Sequence, residues 1–205
     1  MRLVGLLDSP YVRRVAVSLR LMELPFVHVP LSVFRDRDAF AAINPVVRAP
    51  TLVTAEGTVL MDSTVILDHA EPLAPPALRL MPEAPAARLR ALRLLGLALA
   101  ACEKTVQVVY ETTLRPVERQ HGPWLDRVRG QLAAAYAALE AEAGHGRTAW
   151  LVAERPLQAD VTAAVAWRFT QFVLPGTLSA DRHPALAALS ARAEALPAFA
   201  AAPLD

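Results

Sequence analysis

Ser9-Pro10-Tyr11-Val12-Arg13-Arg14-Val15 decides the architecture of the N-terminal part of the chain. It follows the apolar run Leu3-Val4-Gly5-Leu6-Leu7, short enough to be a buried strand, and Pro10 forces a change of structure. Serine is a favoured N-cap. Proline is favoured at the first helical position, because the N–H it lacks would have no partner there anyway. Val12, Val15, Ala16 and Leu19 recur at helical spacing, with Arg13, Arg14 and Arg20 expected on the polar side. Strand, cap and helix meet at one point, and the Ser9 hydroxyl projects from the positive end of the helix, where an anion is favoured. Two readings fit these residues alone: Ser9 only closes the helix, or it also holds a negatively charged ligand.

With 205 residues the chain has room for one large domain or two modest ones. The hydrophobic fraction of 54% is dominated by Ala and Leu, which favours helix over strand. A net charge of +1 gives no general attraction for nucleic acid or acidic membranes, so neither is expected as a partner. Cys102 is the one cysteine, which excludes intrachain disulfides and multi-cysteine metal sites. Met1-Arg2-Leu3 leads directly into the first strand and no apolar run reaches membrane-spanning length, the pattern expected of a cytoplasmic protein. His28, His69, His121, His145 and His183 form no pair on one helix face, so no metal site is expected.

Outward from the first helix, Phe26-Val27-His28-Val29 reads as a second strand, parallel to the first through a right-handed crossover. Residues 34–40 are charged and expected to be irregular or weakly helical. Thr51-Leu52-Val53 and Thr58-Val59-Leu60-Met61 flank Ala55-Glu56-Gly57, a hairpin with Gly57 supplying the positive φ. Asp62-Ser63 then caps a third helix, Thr64 to Glu71. Prolines 72, 75, 76, 82 and 85 break regular structure. Beyond them helices are predicted over 86–114, with an apolar stripe of Leu89, Leu92, Leu99, Val106 and Val109, and over 124–142, ended by Gly144 and Gly146. Two more are predicted over 158–173 and 185–196. The fold class is α/β plus all-α: a βαβ-ββα domain over residues 1–72, a linker over 73–85 and a helical bundle over 86–205.

In this order the motifs resemble the glutathione S-transferase family, over essentially the whole chain. Ser9-Pro10-Tyr11 stands where the family keeps its thiol-activating Ser, Tyr or Cys, in the form most similar to bacterial serine-type members. Omega-like members have a cysteine in place of Ser9. Asn44-Pro45-Val46-Val47-Arg48-Ala49-Pro50 resembles the family's Asn-Pro-x-Gly-Lys-Val-Pro segment, and Asp62-Ser63 its acidic-Ser pair. Asp160 resembles the folding motif of its helical domain. Three departures stand out. Val47 replaces glycine, Arg48 replaces lysine, and Leu157 replaces the Ser or Thr of a capping box, leaving half of that box.

The resemblance implies a thioredoxin-like N-terminal domain, glutathione as co-substrate and no tightly bound cofactor. It also implies a homodimer and a detoxifying conjugation of glutathione to a small apolar electrophile. Lowering a thiol pKa by about two units takes roughly 2.7 kcal/mol. A Ser9 O–H donated to a charged sulfur is worth about 1.5–3 kcal/mol. The helix N-terminus adds about 0.3–1 kcal/mol, or up to about 2 when partly buried. Ser9 is therefore the expected catalytic group, acting by donation with no covalent intermediate. The Ala49-Pro50 bond is implied to be cis, presenting the Ala49 N–H and C=O to the cysteinyl backbone. Ser63 would hold the γ-glutamyl carboxylate, Asp62 the γ-glutamyl ammonium and Arg48 the glycyl end. Tyr11, Gln107, Tyr110 and Phe169 are expected as one face of a second-substrate pocket, or as plain core. Asp160 is expected to be structural, and Cys102 a small buried hydrophobe. Arg88, Arg90 and Arg93 form either a solvated face or a dimer contact. Two alternatives remain open: a non-catalytic binding or regulatory module on the same fold, and a glutathione-dependent isomerase using the same thiolate. Reductase chemistry through a mixed disulfide is disfavoured because Ser9 is not a cysteine.

Overall fold

Leu3 and Val4 are fully buried, and the strand they form ends with them: β1 spans Arg2–Val4, and the chain turns away at Gly5 with φ +136°. A computed structural model describes residues 1–144 and 148–204. His145 and Gly146 lie outside the described residues. The chain divides into two units, Met1–Met81 with Ala195–Asp205, and Pro82–Glu194. Residues from 195 on, read from sequence as part of the helical bundle, belong to the first unit.

In the first unit β1 is followed by α1 (Pro10–Leu21), β2 (Val27–Val29), α2 (Arg37–Ala41), β3 (Thr51–Val53), β4 (Val59–Met61) and α3 (Ser63–Ala70). The sheet order is β2-β1-β3-β4, with β1 and β2 parallel and the other pairs antiparallel. This is the βαβ-ββα arrangement. Gly57 turns the hairpin at φ +87°, as expected. The proline-rich stretch forms two short 3-10 turns, Glu71–Leu73 and Pro76–Leu78.

The arginines of α1 correct the sequence reading. Arg13 and Arg14 are both 1% exposed rather than solvated. Arg13 Nε donates to the Ala202 carbonyl at 2.8 Å, and its guanidinium sits 5.6 Å from the centre of the Phe199 ring. Phe199 belongs to a further short helix, Pro197–Ala200, which packs on α1 and which sequence periodicity misses. Arg20 lies over Phe26, 4.8 Å from its centre.

The second unit is helical: α4 (Pro85–Thr113), α5 (Gly122–Gly144), α6 (Gln158–Val173) and α7 (Pro184–Glu194), which makes Pro197–Ala200 α8. The buried stripe of α4 is Ala91, Leu94, Leu95, Ala98, Ala101, Cys102, Thr105 and Val108. It is not the predicted one, since Leu89 and Leu92 are exposed. Alanine hides a helix's buried face from a hydropathy pattern, because it is accepted inside and out. Small residues let α4 pack closely against α5 and against α6, beside a polar seam that the Tyr136 side chain bridges from α5 to α6. There the Tyr136 O–H donates to the Ala166 carbonyl at 2.8 Å, and the Thr170 hydroxyl contacts both Tyr136 at 2.7 Å and Thr105 at 2.7 Å. Cys102 is fully buried in the same core. On the surface Arg93 pairs with Glu142 at 2.9 Å.

Leu157 stands at the N-cap of α6, and its side chain offers no cap hydrogen bond. Asp160 makes up the other half of the box: its carboxylate accepts from the Leu157 N–H at 2.9 Å and, across the loop, from Leu151 N–H at 2.7 Å. Burial pushes its pKa above the usual carboxylate range, against the pull of those two N–H groups. Among the described residues no helix is long and apolar enough to cross a membrane, and no three His, Cys, Asp or Glu side chains are grouped to hold a metal.

Candidate functional site

The register of the sheet gathers the candidate residues. Val4 pairs with Val29 on one side and Thr51 on the other, and Thr51 pairs with Met61. One row therefore crosses the sheet at the point where β1 ends, β3 begins and β4 ends. Ser9 follows that end of β1, Ala49-Pro50 immediately precedes β3, and Asp62-Ser63 immediately follows β4. Segments distant in sequence reach one rim of the first unit.

Ser9 is the N-cap of α1, with extended backbone (φ −74°, ψ 123°). Its Oγ accepts from the Val12 N–H at 3.4 Å. A hydroxyl that accepts inward still has its proton to donate outward, so capping and anion binding are compatible at this residue. Gly5 brings α1 and the Ala49 loop together. A Cβ there would meet Val12 Cγ2 at 2.6 Å and Ala49 Cβ at 3.1 Å. Its backbone is pinned by N–H donation to the Val29 carbonyl at 3.1 Å and by a 2.8 Å contact of its carbonyl with His28 Nε2. Sequence reasoning did not single out Gly5, though an isolated glycine in an apolar run is a signal of close backbone approach.

Asn44 organises the loop before β3. Buried at 3% exposure, its Oδ1 accepts from Val46 N–H at 3.0 Å and its Nδ2 donates to Thr51 Oγ1 at 2.8 Å. Thr51 passes its own proton to the Arg48 carbonyl at 2.7 Å. Val47, where the family has glycine, sits at φ +53°, and the Ala49-Pro50 bond is cis. Arg48 reaches Asp62 at 3.9 Å, both side chains being about half exposed or more, so the pair adds little stability.

At β4–α3 the structure corrects the cap. Asp62 is the N-cap, at φ +70°, its Oδ1 accepting from Thr64 N–H at 2.8 Å; Ser63 is the first residue of the helix. Behind Ser63 lies a group the sequence reading placed in solvent. Arg14 donates from one terminal nitrogen to Ser63 Oγ at 3.0 Å and to Thr64 Oγ1 at 3.3 Å. Ser63, like Ser9, accepts from inside the fold and keeps its proton for a ligand.

The four residues read as a second-substrate face divide between the units. Tyr11 is half-buried on α1. Gln107 and Tyr110 line a cleft on the helical unit, while Phe169 is buried at 6% exposure and does not line it.

Two family models match the chain: glutathione S-transferase, N-terminal domain, over residues 3–77, and glutathione S-transferase, C-terminal domain, over residues 122–192. The uncharacterized GST-like protein YibF of Escherichia coli (strain K12) is 30% identical over 132 residues, 64% of either chain, so the match spans just under two thirds of that relative. A glutathione S-transferase from Methylobacterium radiotolerans, solved in complex with glutathione sulfonate, is 30% identical with a TM-score of 0.89 over 98% of this chain and 93% of its own. A maleylacetoacetate isomerase from Methylobacterium extorquens AM1, solved with bound malonate and GSH, is 25% identical with a TM-score of 0.74 over 98% of this chain and 95% of its own.

Proposed function

Because this chain belongs to the glutathione S-transferase family, we propose that it binds glutathione at the rim of its first unit and transfers the thiolate to a small apolar electrophile. One observation carries the reading: the Ser9 and Ser63 hydroxyls both accept from within the fold, leaving both protons to be donated to an anion. In this scheme Ser9 donates to the glutathione sulfur, backed by the twelve-residue α1 pointing its positive end the same way. A charged sulfur is the nucleophile, so holding it ionised at neutral pH is the catalytic act. Ala49, beside Pro50, offers its N–H and C=O to the cysteinyl backbone. Ser63 takes the γ-glutamyl carboxylate with Arg14 behind it, Asp62 takes the ammonium, and Arg48 takes the glycyl end. Glutathione is a co-substrate in this scheme, and no tightly bound cofactor enters it. Tyr11 on the first unit, and Gln107 and Tyr110 on the helical unit, are the residues proposed toward the electrophile, while buried Phe169 stays with the core.

The test is the pH dependence of conjugation by Ser9→Ala. An activated thiolate lost by about one to two pKa units means a drop of about ten- to a hundredfold below the free thiol's pKa. An apparent thiol pKa equal to that of the native protein would remove Ser9 from the role.

An isomerase reading is favoured by the likeness to the maleylacetoacetate isomerase. It needs the same thiolate but returns glutathione at each turnover, so titrating free thiol during turnover separates the two. We further propose a cytoplasmic homodimer. The exposed Leu89 and Leu92 on α4 support self-association, and the single buried cysteine suits a reducing compartment. Sedimentation of Leu89→Lys against the native chain checks the dimer: an unchanged mass would exclude that face.

A further inference from the structure

Gly5 ends β1 with a carbonyl that the sheet itself does not satisfy. Its N–H makes the last rung to β2, donating to the Val29 carbonyl at 3.1 Å. A parallel ladder would continue with the Leu31 N–H on the Gly5 carbonyl. Pro30 lacks an N–H and turns the strand end, so Leu31 N–H goes back to the Val29 carbonyl at 2.9 Å. Gly5 is buried, and an unmet carbonyl there would bear the full cost of leaving water. A side chain takes the place of the missing rung: His28 Nε2 lies 2.8 Å from the Gly5 oxygen. A carbonyl only accepts, so Nε2 carries the proton, whether the imidazole is neutral or charged.

The Gly5 peptide also lies between the two segments read as flanking the thiol. Val12 of α1 and Ala49 approach so closely that a Cβ on Gly5 would meet them at 2.6 and 3.1 Å. Ser9 follows four residues on, and its N–H closes the intervening turn on the Leu6 carbonyl at 3.2 Å. Rotating the Gly5 carbonyl therefore moves Ser9 against Ala49. At φ +136° glycine has no side chain of its own to resist that rotation. A misplacement of about 1 Å at a reacting group can cost about a hundredfold in rate.

We propose that His28 is a positioning residue for the thiol chemistry: its Nε2–H, on the Gly5 carbonyl, sets the placing of Ser9 relative to Ala49. This role rests on Ser9 being the thiolate donor. The test follows the thiolate absorbance of bound glutathione against pH in the native chain, His28→Phe and His28→Gln. Phenylalanine keeps a ring and loses the donor, whereas glutamine supplies an amide N–H in its stead. His28→Phe should raise the apparent pKa of the bound thiol by about one pKa unit, a roughly tenfold loss of thiolate below it, with turnover falling in proportion. His28→Gln should restore both. Nitrogen NMR of the native chain gives a readout independent of how any variant folds: the His28 ring should hold the Nε2–H form when neutral. A His28→Phe chain that melts earlier but keeps the native thiol pKa would make the bond merely structural and overturn the proposal. So would a His28→Gln chain that behaves as His28→Phe does, or an Nδ1–H ring in the native chain. A native chain that leaves the thiol at its free pKa overturns the role of Ser9, and that of His28 with it.

Discussion

Val47 holds a backbone that β-branched residues avoid, φ +53°, in the loop leading to Pro50. The left-handed conformation costs an L-residue roughly 1–2 kcal/mol, and glycine's extra freedom in the unfolded chain costs about 0.5–1 kcal/mol. Val47→Gly should therefore gain up to about 1 kcal/mol, or roughly 2–4 °C in thermal melts. A lower melting temperature would show that the Val47 side chain contributes packing that outweighs the strain. Gly5→Ala runs the other way. Its Cβ would press on Val12 at 2.6 Å and Ala49 at 3.1 Å, so melting temperature and glutathione affinity, read by calorimetry, should fall together. Stability lost with affinity kept would mean that α1 and the Ala49 loop do not share a ligand. At this scale the sequence was legible where chemistry is local: Ser9 with Pro10, and Gly57, are caps and turns that need no distant partner. Arg13 and Arg14 were illegible because charged side chains default to solvent, and the acceptor that lets Arg13 be buried lies 189 residues further along.

Among the elements, α6 was readable end to end from its period and Asp160, whereas α4 was readable in extent but not in facing. The stripe of leucines and valines pointed one way. The alanines at 91, 98 and 101, with Leu94 and Leu95, turned the helix another, because close packing against α5 and α6 rewards small side chains. Asp160 gives α6 a pH signature. Burial raises its pKa in the folded chain, so the native state binds that proton more tightly than the unfolded one does. Its contribution is full below the unfolded value of about 3.9 and is lost as pH rises through the folded value. Urea titrations of the native chain and Asp160→Asn should diverge over that window, the native chain losing stability relative to the variant as pH rises. Parallel curves would mean that the two N–H donors at Leu157 and Leu151 fully compensate the desolvation.

Across the whole molecule, the chain leaves its first unit after Met81 and re-enters it at Ala195. The βαβ-ββα order and the switch to helices could be read from strand-length runs, the hairpin and the prolines. The return could not, since α8 is one turn long and its partner is the buried guanidinium of α1. Deleting residues 197–205 removes both Phe199 and the Ala202 acceptor. A hydrogen bond to a charged group is worth about 1.5–3 kcal/mol, so amide exchange in α1 should quicken by about ten- to a hundredfold while α4 and α6 keep their protection. Equal protection of α1 in both chains would show that the returning segment contributes nothing to it. The sealed position of Cys102 has a practical corollary. Alkylating reagents should leave the native chain unmarked, so one thiol engineered at exposed Asp68 would accept a single dye. Fluorescence could then follow the first unit alone, with no background from the chain's own sulfur.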